Sequence, residues 1–265
     1  MQLKFYKYHG NGNDFIIIDN RQNTFPANNH ALIKYLCNRN FGIGADGLML
    51  MEETPGMDFH MHYYNSDGRE GTMCGNGGRC MIHFAAKIGL IDKTAIFSGI
   101  DGHHQGRIDK NGLVHLKMQD VNKVKKDGNA YIINTGSPHY IIFTDNISGL
   151  DVINAGRKIR YDEKYGNEGI NVNFVQTENE RIRIRTYERG VENETLACGT
   201  GSVAAAIGTV LKENRNISRV IVETLGGILE VNFRRKNKEH FSDIWLSGPA
   251  KMVFEGNADI DIPDK

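Results

Sequence analysis

The amino-acid sequence predicts an α+β, barrel-like fold built from two pseudo-symmetric domains, each a strongly curved, mostly antiparallel sheet wrapped around a central helix. Three observations lead to this prediction: a long internal repeat, strands with alternating apolar residues, and one apolar helix in each half of the chain. A sheet with one apolar face must bury that face, and a helix enclosed by the bent sheet does so.

The internal repeat sets the predicted domain limits. Four segments of the first half recur in the same order in the second half, at an offset of 124 or 125 residues. The pairs are Gly12–Asp19 with Ser137–Asp145, Gly42–Leu50 with Asn167–Val175, Cys74–Gly78 with Cys198–Ser202, and Phe97–Gly102 with Val222–Gly227. Such a period indicates duplicated structural units. We therefore predict one domain over residues 1–120 and a second over 121–255, with residues 256–265 returning to the first.

In each half, an alternating strand leads through a loop to a cysteine and then to a helix. Apolar and polar residues alternate in Asp58–Asn65 and in Arg181–Glu188, which is the period of a strand with one buried face. Tyr63 is expected on the inward face of the first strand. The helices are predicted over 77–88 and 201–212, and the second is apolar nearly all round, so we expect it to be surrounded by protein.

Composition limits the classes of function. The chain has 265 residues with 32 basic and 32 acidic side chains, so its formal net charge is zero. A general nucleic-acid-binding protein would carry a basic excess, and no apolar run approaches the roughly 18 residues of a membrane span. We therefore expect no nucleic-acid partner and no membrane association. The opening residues have no signal-peptide core, which predicts a cytoplasmic location.

Two of the four cysteines stand directly before glycine-rich helix starts. Cys74 precedes Gly75-Asn76-Gly77-Gly78, and Cys198 precedes Gly199-Thr200-Gly201-Ser202. The positive end of a helix dipole favours a thiolate, and free backbone N–H groups there can bind a carboxylate. Cys37 and Cys80 lie in apolar stretches and are predicted to be core residues. No Cys-x-x-Cys pair is present, which argues against a zinc or thioredoxin-like site. A disulfide framework is not expected in a reducing compartment.

Paired cysteine loops in duplicated domains favour one kind of chemistry. If the halves pack about a pseudo-twofold axis, a thiolate can remove a proton from one face of a carbon while a thiol protonates the other face. N–H donors at both helix starts would stabilise the negative charge that develops on the neighbouring carboxylate. Stereoinversion by two bases then needs neither a lysine aldimine nor a metal ion.

Four segments resemble the signature blocks of the diaminopimelate epimerase family, and the similarity runs along nearly the whole chain. They are His9–Phe15, Asn65–Cys80, Gly169–Val175 and Tyr187–Ser202. The resemblance implies an isomerase that interconverts LL- and meso-2,6-diaminopimelate in lysine and peptidoglycan precursor biosynthesis. It also implies independence of pyridoxal phosphate and of any other cofactor, two barrel-like domains and a homodimer.

The resemblance assigns roles to individual residues. Cys74 and Cys198 match the acid/base pair, and His139 and Glu188 match residues that tune the cysteine pKa values. The matching substrate-binding positions are Asn13, Asn65, Gly75, Asn76, Asn171, Glu188, Arg189, Gly199 and Thr200. Two positions depart from some members: Gly47 stands where they have Gln, and Ser137 where they have Asn, so those two substrate contacts are not carried over.

Other motifs have simpler interpretations. Residues 42–47 match G-x-G-x-x-G, but they lead into a strand rather than a helix, so a tight turn is favoured over a dinucleotide site. His60 and His62 share one strand face without an evident third ligand, which favours a solvated face over a metal site. The arginines of the strand 181–188 alternate with apolar residues, which favours an exposed face over a nucleic-acid stripe.

Three alternative functions stay open at this point. A proline-racemase-like or phenazine-type isomerase would keep the fold but differ around the first cysteine. A redox switch would join Cys74 and Cys198 in a disulfide and would need a redox cycle for its activity. An amino-acid-binding protein would leave the α-hydrogens of a bound amino acid unexchanged in D2O.

Overall fold

A computed structural model describes residues 2–72, 74–166, 168–179 and 181–260 of the chain. The chain separates into two compact units: the first comprises Met1–Leu116 and Pro249–Lys265, and the second Lys117–Gly248. The domain limits 1–120 and 121–255 rest on the repeat and stay a prediction. Of the predicted returning segment, residues 261–265 lie outside the described part. Within the described residues, no helix is long and apolar enough to cross a membrane.

Short strands dominate both units. The strands of the first unit are β1 (Gln2–Gly10), β2 (Asn13–Asp19), β3 (Gly47–Glu52), β4 (Phe59–Asn65), β5 (Glu70–Gly71), β6 (Thr94–Gly99), β7 (Gly102–Ile108), β8 (Val114–Lys117, ending at the unit boundary) and β18 (Lys251–Asp259). Those of the second are β9 (Val124–Asp127), β10 (Ala130–Asn134), β11 (Pro138–Phe143), β12 (Asn171–Glu178), β13 (Arg181–Glu188), β14 (Asn193–Thr195), β15 (Arg219–Thr224), β16 (Gly227–Arg235) and β17 (Phe241–Gly248).

In the described part of the chain, four α-helices accompany these strands. The first unit contains α1 (His30–Cys37) and α2 (Gly75–Lys87), and the second contains α3 (Val152–Arg160) and α4 (Gly199–Lys212). A short 3-10 helix spans Glu163–Tyr165.

The two units share one order of strand pairing. In the first, β1 pairs with β2 and β3 with β4, both antiparallel, whereas β2 and β3 are parallel and β4 and β6 are parallel. The second repeats this pattern: β10–β11 and β12–β13 are antiparallel, and β11–β12 and β13–β15 are parallel. The equivalent topology confirms the predicted pseudo-symmetry. Antiparallel pairing predominates in both units, as predicted.

Each sheet packs around one central helix. Helix α2 contacts strands β1, β2, β3 and β7, and α4 contacts strands β10–β13 and β15–β17. In α4, Gly199 and all residues from Gly201 to Val210 are buried, which confirms the prediction that protein surrounds it. Each fully buried Val or Ile contributes roughly 1.5–3 kcal/mol to stability, so this helix forms the centre of the second core. The fold class predicted from the sequence is confirmed.

The helix starts differ from the prediction. Helices α2 and α4 begin at Gly75 and Gly199, two residues earlier than predicted, because the glycine-rich loops form the first helical turn. Glycine has low helix propensity, which is why the pattern placed these residues in a loop. The cysteines are consequently the N-cap residues.

Two outer helices were missing from the prediction, and one of them covers the second face of strand β4. Helix α1 covers the outside of the first sheet with Leu32 and Ile33, which join Leu48 and Tyr64 in one buried cluster. Tyr64, predicted on the polar face, is therefore 3% exposed. Tyr63 faces inward as predicted, with its ring 6.1 Å from that of Phe15, and is half-buried at the strand end. The sheet is apolar on both faces at this point, so strict alternation fails.

Candidate active site

Each candidate catalytic cysteine caps the start of a buried central helix. Cys74 has extended backbone angles (φ −87°, ψ 132°), and its carbonyl oxygen accepts the first intrahelical hydrogen bond, from Gly78 N at 2.7 Å. Cys198 is likewise extended (φ −116°, ψ 116°), and its carbonyl accepts from Ser202 N at 2.9 Å. Both sulfur atoms therefore stand at the positive end of a helix dipole, where negative charge is stabilised.

The second glycine of each Cys-Gly-x-Gly loop packs closely against the sheet. A Cβ atom at Gly77 would lie 3.0 Å from the sulfur of Met49. At the equivalent Gly201 it would lie 2.4 Å from Nδ2 of Asn173. Such contacts are too short for a side chain, so glycine brings the helix start, and with it the cysteine, close to the strands.

Asn13 connects Cys74 to its helix and to the sheet. The Asn11-Gly12 pair forms a tight turn between β1 and β2, with φ of 53° and 84°, and so places Asn13 at the start of β2. The Cys74 thiol lies 3.6 Å from Oδ1 of Asn13, which also accepts from Nδ2 of Asn76 at 3.3 Å. The Asn13 amide donates to Asp46 at 2.8 Å. Asn13, Asn76 and Cys74 thus form one polar cluster.

Asn65 is placed differently. It is exposed at the end of β4, opposite Gly47 in the β3–β4 register, and its Oδ1 accepts from the hydroxyl of Tyr63 at 3.1 Å. At Gly47, a Cβ atom would meet the Tyr64 carbonyl oxygen at 2.6 Å. A longer side chain at this position would therefore require the two strands to shift.

A chain of hydrogen bonds leads from Cys198 into the core of the second unit. The thiol lies 3.6 Å from Oγ1 of Thr200, and that hydroxyl lies 2.9 Å from Nε2 of His139. On the other side of the ring, Nδ1 of His139 lies 2.8 Å from Oδ1 of Asn173, whose amide donates to Thr186 at 2.8 Å. Cys198, Thr200 and His139 are therefore brought together.

The contacts of Asn173 determine which atom donates in each of these hydrogen bonds. Because the Asn173 amide nitrogen donates to Thr186, its oxygen faces His139 and must accept the Nδ1 proton. Burial lowers the pKa of His139 to about 4, so the imidazole is neutral at neutral pH and Nε2 is an acceptor. The Thr200 hydroxyl then donates to Nε2, and its oxygen can accept the proton of the Cys198 thiol.

The predicted binding residues Asn171, Glu188 and Arg189 surround the same strand ends. Asn171 lies opposite His139 in the parallel β11–β12 register, donates to Ser137 at 2.8 Å and accepts from the Arg189 backbone N–H at 2.9 Å. Glu188 accepts from Thr195 at 2.9 Å. The Arg189 guanidinium donates to the carbonyl of Glu168 at 3.3 Å. The Asn171 amide thus holds the loop that presents Arg189.

Sequence reasoning missed Asn173, although it supports the cysteine side of the site. It is fully buried between His139 and Thr186. The signal was present: a polar residue on the otherwise apolar strand β12, with the pattern Asn-Val-Asn-Phe-Val, is expected to have a specific partner when buried.

The simpler interpretations of the remaining motifs agree with the structure. Cys37 and Cys80 are buried, as predicted, and burial raises the pKa of each thiol to about 12. His62 lies between the carboxylates of Glu52 and Glu70, and the described residues contain no group of three or more His, Cys, Asp or Glu that could hold a metal ion. The arginines of β13 pair with carboxylates: Arg181 and Arg183 with Glu178 and Glu223, and Arg185 with Glu194.

Over residues 5–124 and 131–253, the sequence matches the profile of the protein family described as Diaminopimelate epimerase. The chain belongs to the diaminopimelate epimerase family. Family membership makes it an isomerase, and both cysteine loops lie within the matched residues. The match covers residues of both units.

Individual family members agree along nearly their full length. The diaminopimelate epimerase of Flavobacterium psychrophilum is 51% identical over 254 residues, which cover 96% of this chain and 99% of that protein. The diaminopimelate epimerase of Methanocella arvoryzae is 41% identical over 283 residues, with 98% of each chain covered.

Solved structures of more distant proteins share this fold. A phenazine biosynthesis protein of Bacillus anthracis superposes with a TM-score of 0.75 at 16% identity, covering 98% of this chain and 100% of that one. A hydroxyproline epimerase from Agrobacterium vitis superposes with a TM-score of 0.70 at 12% identity, covering 99% and 94%. At such low identity these matches establish the fold alone, whereas the family members above separate this chain from the phenazine-type and proline-racemase-like alternatives.

Proposed function

We propose that this epimerase interconverts LL-2,6-diaminopimelate and meso-2,6-diaminopimelate with Cys74 and Cys198 as its two acid/base groups. The observation that carries the proposal is the repeated arrangement of the two cysteines. Each is the N-cap of the central helix of its unit, and each is followed by a glycine-rich first turn with free N–H groups. Family membership supplies the substrate and the reaction.

In the proposed reaction, one proton is removed from the α-carbon and another is added to the opposite face of the same carbon. One cysteine, as thiolate, takes the α-proton and becomes a thiol, while the electron pair of the C–H bond spreads onto the neighbouring carboxylate. The other cysteine, as thiol, then protonates the opposite face and becomes a thiolate. The mechanism requires both sulfur atoms to reach this carbon when substrate is bound.

The helix starts would stabilise the charged intermediate. We assign the carboxylate at the reacting carbon to the backbone N–H groups of Gly75, Asn76, Gly199 and Thr200. Donors fixed by a buried helix cost little reorganisation when charge develops, which is why such groups lower activation barriers. The same groups favour the thiolate over the thiol at each cysteine.

The rest of the substrate would be held by polar groups around the two loops. We assign Arg189 to the distal carboxylate, because a guanidinium can bind it with two hydrogen bonds. Glu188 can accept from the distal ammonium group. Asn13, Asn65 and Asn171 complete the set, and the contacts of Asn171 support a second task for it, the positioning of the Arg189 backbone.

His139 and Glu188 are proposed to tune the cysteines. The neutral His139 ring accepts from the Thr200 hydroxyl, and the Thr200 oxygen, 3.6 Å from the sulfur and 2.9 Å from the ring, can accept from the Cys198 thiol. Such a hydrogen bond favours the protonated thiol, the form in which Cys198 acts as an acid.

Proton exchange tests the two-base proposal directly. The enzyme is incubated with meso-diaminopimelate in D2O, and both epimerisation and loss of the α-hydrogen are followed. Cys74→Ser and Cys198→Ser should each lower turnover by about 10²-fold or more, because a serine hydroxyl is a far weaker acid than a thiol and is not ionised to act as a base near neutral pH. The control is Cys37→Ala, a buried cysteine outside the two loops. Full activity in either serine variant would contradict two-base chemistry.

The same assay separates the alternatives. An amino-acid-binding protein leaves the α-hydrogen in place, and a proline-racemase-like enzyme racemises proline rather than epimerising diaminopimelate. A redox protein needs an oxidation cycle, whereas the epimerase is fully active under continuous reductant. Because the proposed chemistry uses thiols alone, activity should also survive removal of metals by chelation and treatment of the enzyme with a carbonyl reagent that removes pyridoxal phosphate.

We also propose that the enzyme acts as a cytoplasmic homodimer. The proposed chemistry needs both catalytic cysteines in the reduced form, which a reducing compartment such as the cytoplasm maintains. Strand β18 exposes two large apolar side chains, Val253 at 56% and Phe254 at 46%, which suits a contact with a second copy.

Light scattering after gel filtration measures the oligomeric state. Phe254→Asp should shift a dimer to a monomer, because it buries a charge in the proposed contact. Ile96→Asp, at a residue that is 52% exposed elsewhere in the first unit, is the matched control. A dimer that survives Phe254→Asp would place the contact on another surface.

A further inference from the structure

The ring of Tyr63 lies across two glycines on the inward face of the first sheet. A Cβ atom at Gly47 would lie 2.7 Å from Cε2 of Tyr63 and 3.3 Å from its hydroxyl oxygen. A Cβ atom at Gly71 would lie 3.3 Å from both Cδ1 and Cε1 of the same ring. Gly47 belongs to β3 and Gly71 to β5, the two strands that flank β4 at this point. The two glycines therefore leave the space that the Tyr63 ring fills.

The two ends of the Tyr63 side chain have different surroundings. The ring packs edge to face against the fully buried Phe15, with the ring centroids 6.1 Å apart. The hydroxyl donates to Oδ1 of Asn65 at 3.1 Å. Tyr63 and Asn65 are two residues apart on β4 and therefore share one face of the strand. An apolar anchor at one end and a hydrogen bond at the other fix the position of the hydroxyl.

This hydrogen bond sets the orientation of the Asn65 amide. The side-chain amide has an oxygen that accepts hydrogen bonds and an NH2 group that donates them, and the two turn together. Because the Tyr63 hydroxyl engages the oxygen, the amide presents its NH2 group on the other side. An NH2 group suits a carboxylate oxygen and does not suit an ammonium group.

The second unit has a side chain where Gly47 has none. Phe15 and Gly47 open the parallel register of β2 and β3, and His139 and Asn171 open that of β11 and β12. Both pairs are related by 124 residues, the offset of the two cysteine loops. Gly47 therefore corresponds to Asn171, whose amide is one of the predicted binding groups.

The neighbouring strand compensates for this difference in size. Met49 of β3 lies opposite Tyr63, and the equivalent Asn173 of β12 lies opposite Thr186. In the first unit a glycine on β3 is combined with a large ring on β4, whereas in the second Asn171 is combined with the smaller Thr186. The polar group that Asn171 supplies from its own strand is thus supplied in the first unit by the hydroxyl of Tyr63.

We propose that Tyr63 is a positioning residue for the substrate: its ring fills the space over Gly47, and its hydroxyl orients the Asn65 amide so that the NH2 group faces a carboxylate oxygen. The role in substrate binding rests on the proposed function; the hydrogen bond between Tyr63 and Asn65 does not. Tyr63 acts through Asn65 and touches no reacting atom, so its loss is expected to change KM rather than kcat.

A double-mutant cycle on meso-diaminopimelate epimerisation tests this inference. Tyr63→Phe keeps the ring and removes the hydroxyl, and it should raise KM about three- to tenfold with kcat near that of the wild type. In the Asn65→Ala background the same substitution should change KM by less than about twofold, because its effect passes through Asn65. Equal changes in both backgrounds, or an unchanged KM in Tyr63→Phe, would overturn the proposal.

The neighbouring tyrosine provides the matched control. Tyr64 lies on the opposite face of β4, in the buried cluster under α1, and is 3% exposed. Tyr64→Phe is therefore expected to leave KM unchanged. An increase in KM equal to that of Tyr63→Phe would mean that the effect comes from the strand as a whole, which would refute a specific role for Tyr63.

Aspartate at position 65 determines which substrate group the residue faces. An aspartate can still accept from the Tyr63 hydroxyl and would attract an ammonium group, but it repels a carboxylate. Asn65→Asp should therefore raise KM at least about threefold more than Asn65→Ala does. A KM at or below that of Asn65→Ala would show that the amide does not face a carboxylate and would overturn the proposed orientation.

Nuclear magnetic resonance tests the hydrogen bond without substrate. The ¹⁵N–¹H signals of the Asn65 side-chain amide are identified by their absence in Asn65→Ala. They should shift in Tyr63→Phe, which removes the donor to Oδ1, and stay in place in Tyr64→Phe. Unshifted signals in Tyr63→Phe would refute the contact.

Failure of this inference differs visibly from failure of the proposed function. An enzyme that epimerises diaminopimelate with the same KM in Tyr63→Phe keeps the proposed function and removes Tyr63 from substrate positioning. Amide signals that shift in Tyr63→Phe, in a protein that does not epimerise diaminopimelate, keep the contact and remove the substrate.

Discussion

Protonation of buried His139 is expected to destabilise the second unit at mildly acidic pH. Burial lowers the pKa of His139 from its ordinary value of 6.5 to about 4. The unfolded chain therefore takes up a proton at a higher pH than the folded chain does. Stability is fully present above about pH 6.5 and decreases as the pH falls towards about 4, because proton uptake favours the unfolded state.

The size of the effect follows from the shift. One pKa unit corresponds to about 1.4 kcal/mol, so the complete loss is about 3.4 kcal/mol, and about 2 kcal/mol of it has occurred by pH 5. The carboxylate of Asp14 adds little to this loss of stability at that pH. Although burial raises the pKa of Asp14, hydrogen bonds from Arg39 and Lys7 lower it to about 2, so the contribution of Asp14 is lost only in more acidic solution.

The comparison uses His139→Gln, which keeps a donor and an acceptor but does not titrate. Trp245 is the only tryptophan of the chain and belongs to the second unit, so its fluorescence during urea unfolding reports on the unit that contains His139. Between about pH 7.5 and pH 5, the wild type should lose about 2 kcal/mol more than the variant. Equal losses in the two proteins would refute the assignment of His139 as a buried neutral histidine.

Three further substitutions test separate parts of the structure. Gly156→Ala places a Cβ atom 2.4 Å from Cβ of Tyr187, and urea unfolding should show a destabilisation of about 1–3 kcal/mol. An unchanged free energy of unfolding would mean that α3 can move away from Tyr187. Thr200→Val removes the hydroxyl next to Cys198 and should lower kcat by about tenfold or more, while Thr200→Ser should retain most of it; equal kcat values would argue against the hydroxyl link. Arg189→Ala should raise KM more than it lowers kcat in a steady-state assay, since it removes binding of the distal carboxylate, and an unchanged KM would count against that contact.

Much of the fold could be predicted because its information is local or repeated. The alternation of Arg181–Glu188 predicts the bounds of β13 as the structure has them, and Ile182 and Ile184 are buried as expected. Strand β4 shows where this reasoning fails. Its alternation predicts one buried face, but α1 covers the other face as well, and a short helix of eight residues is not evident from its own pattern.

Part of the candidate site was also accessible from sequence. A cysteine before a glycine-rich helix start, found twice at one offset, indicates two equivalent reactive thiols. The surroundings of those thiols were not accessible. Thr200 and His139 are 61 residues apart, and Arg79 and Asn11 are 68 residues apart, yet each pair forms a hydrogen bond.

The sequence by itself determined the duplication, the class of fold and the two cysteine loops, because periodicity and turn-forming glycines act over a few residues and recur in both halves. Only the tertiary structure decided which side chains surround each loop. Burial sets the free energy of a charge, and burial depends on which distant segments pack together. The long-range packing of α2 buries Arg79 against Gly75 and Asn76, and that of α4 leaves His139 neutral behind Cys198.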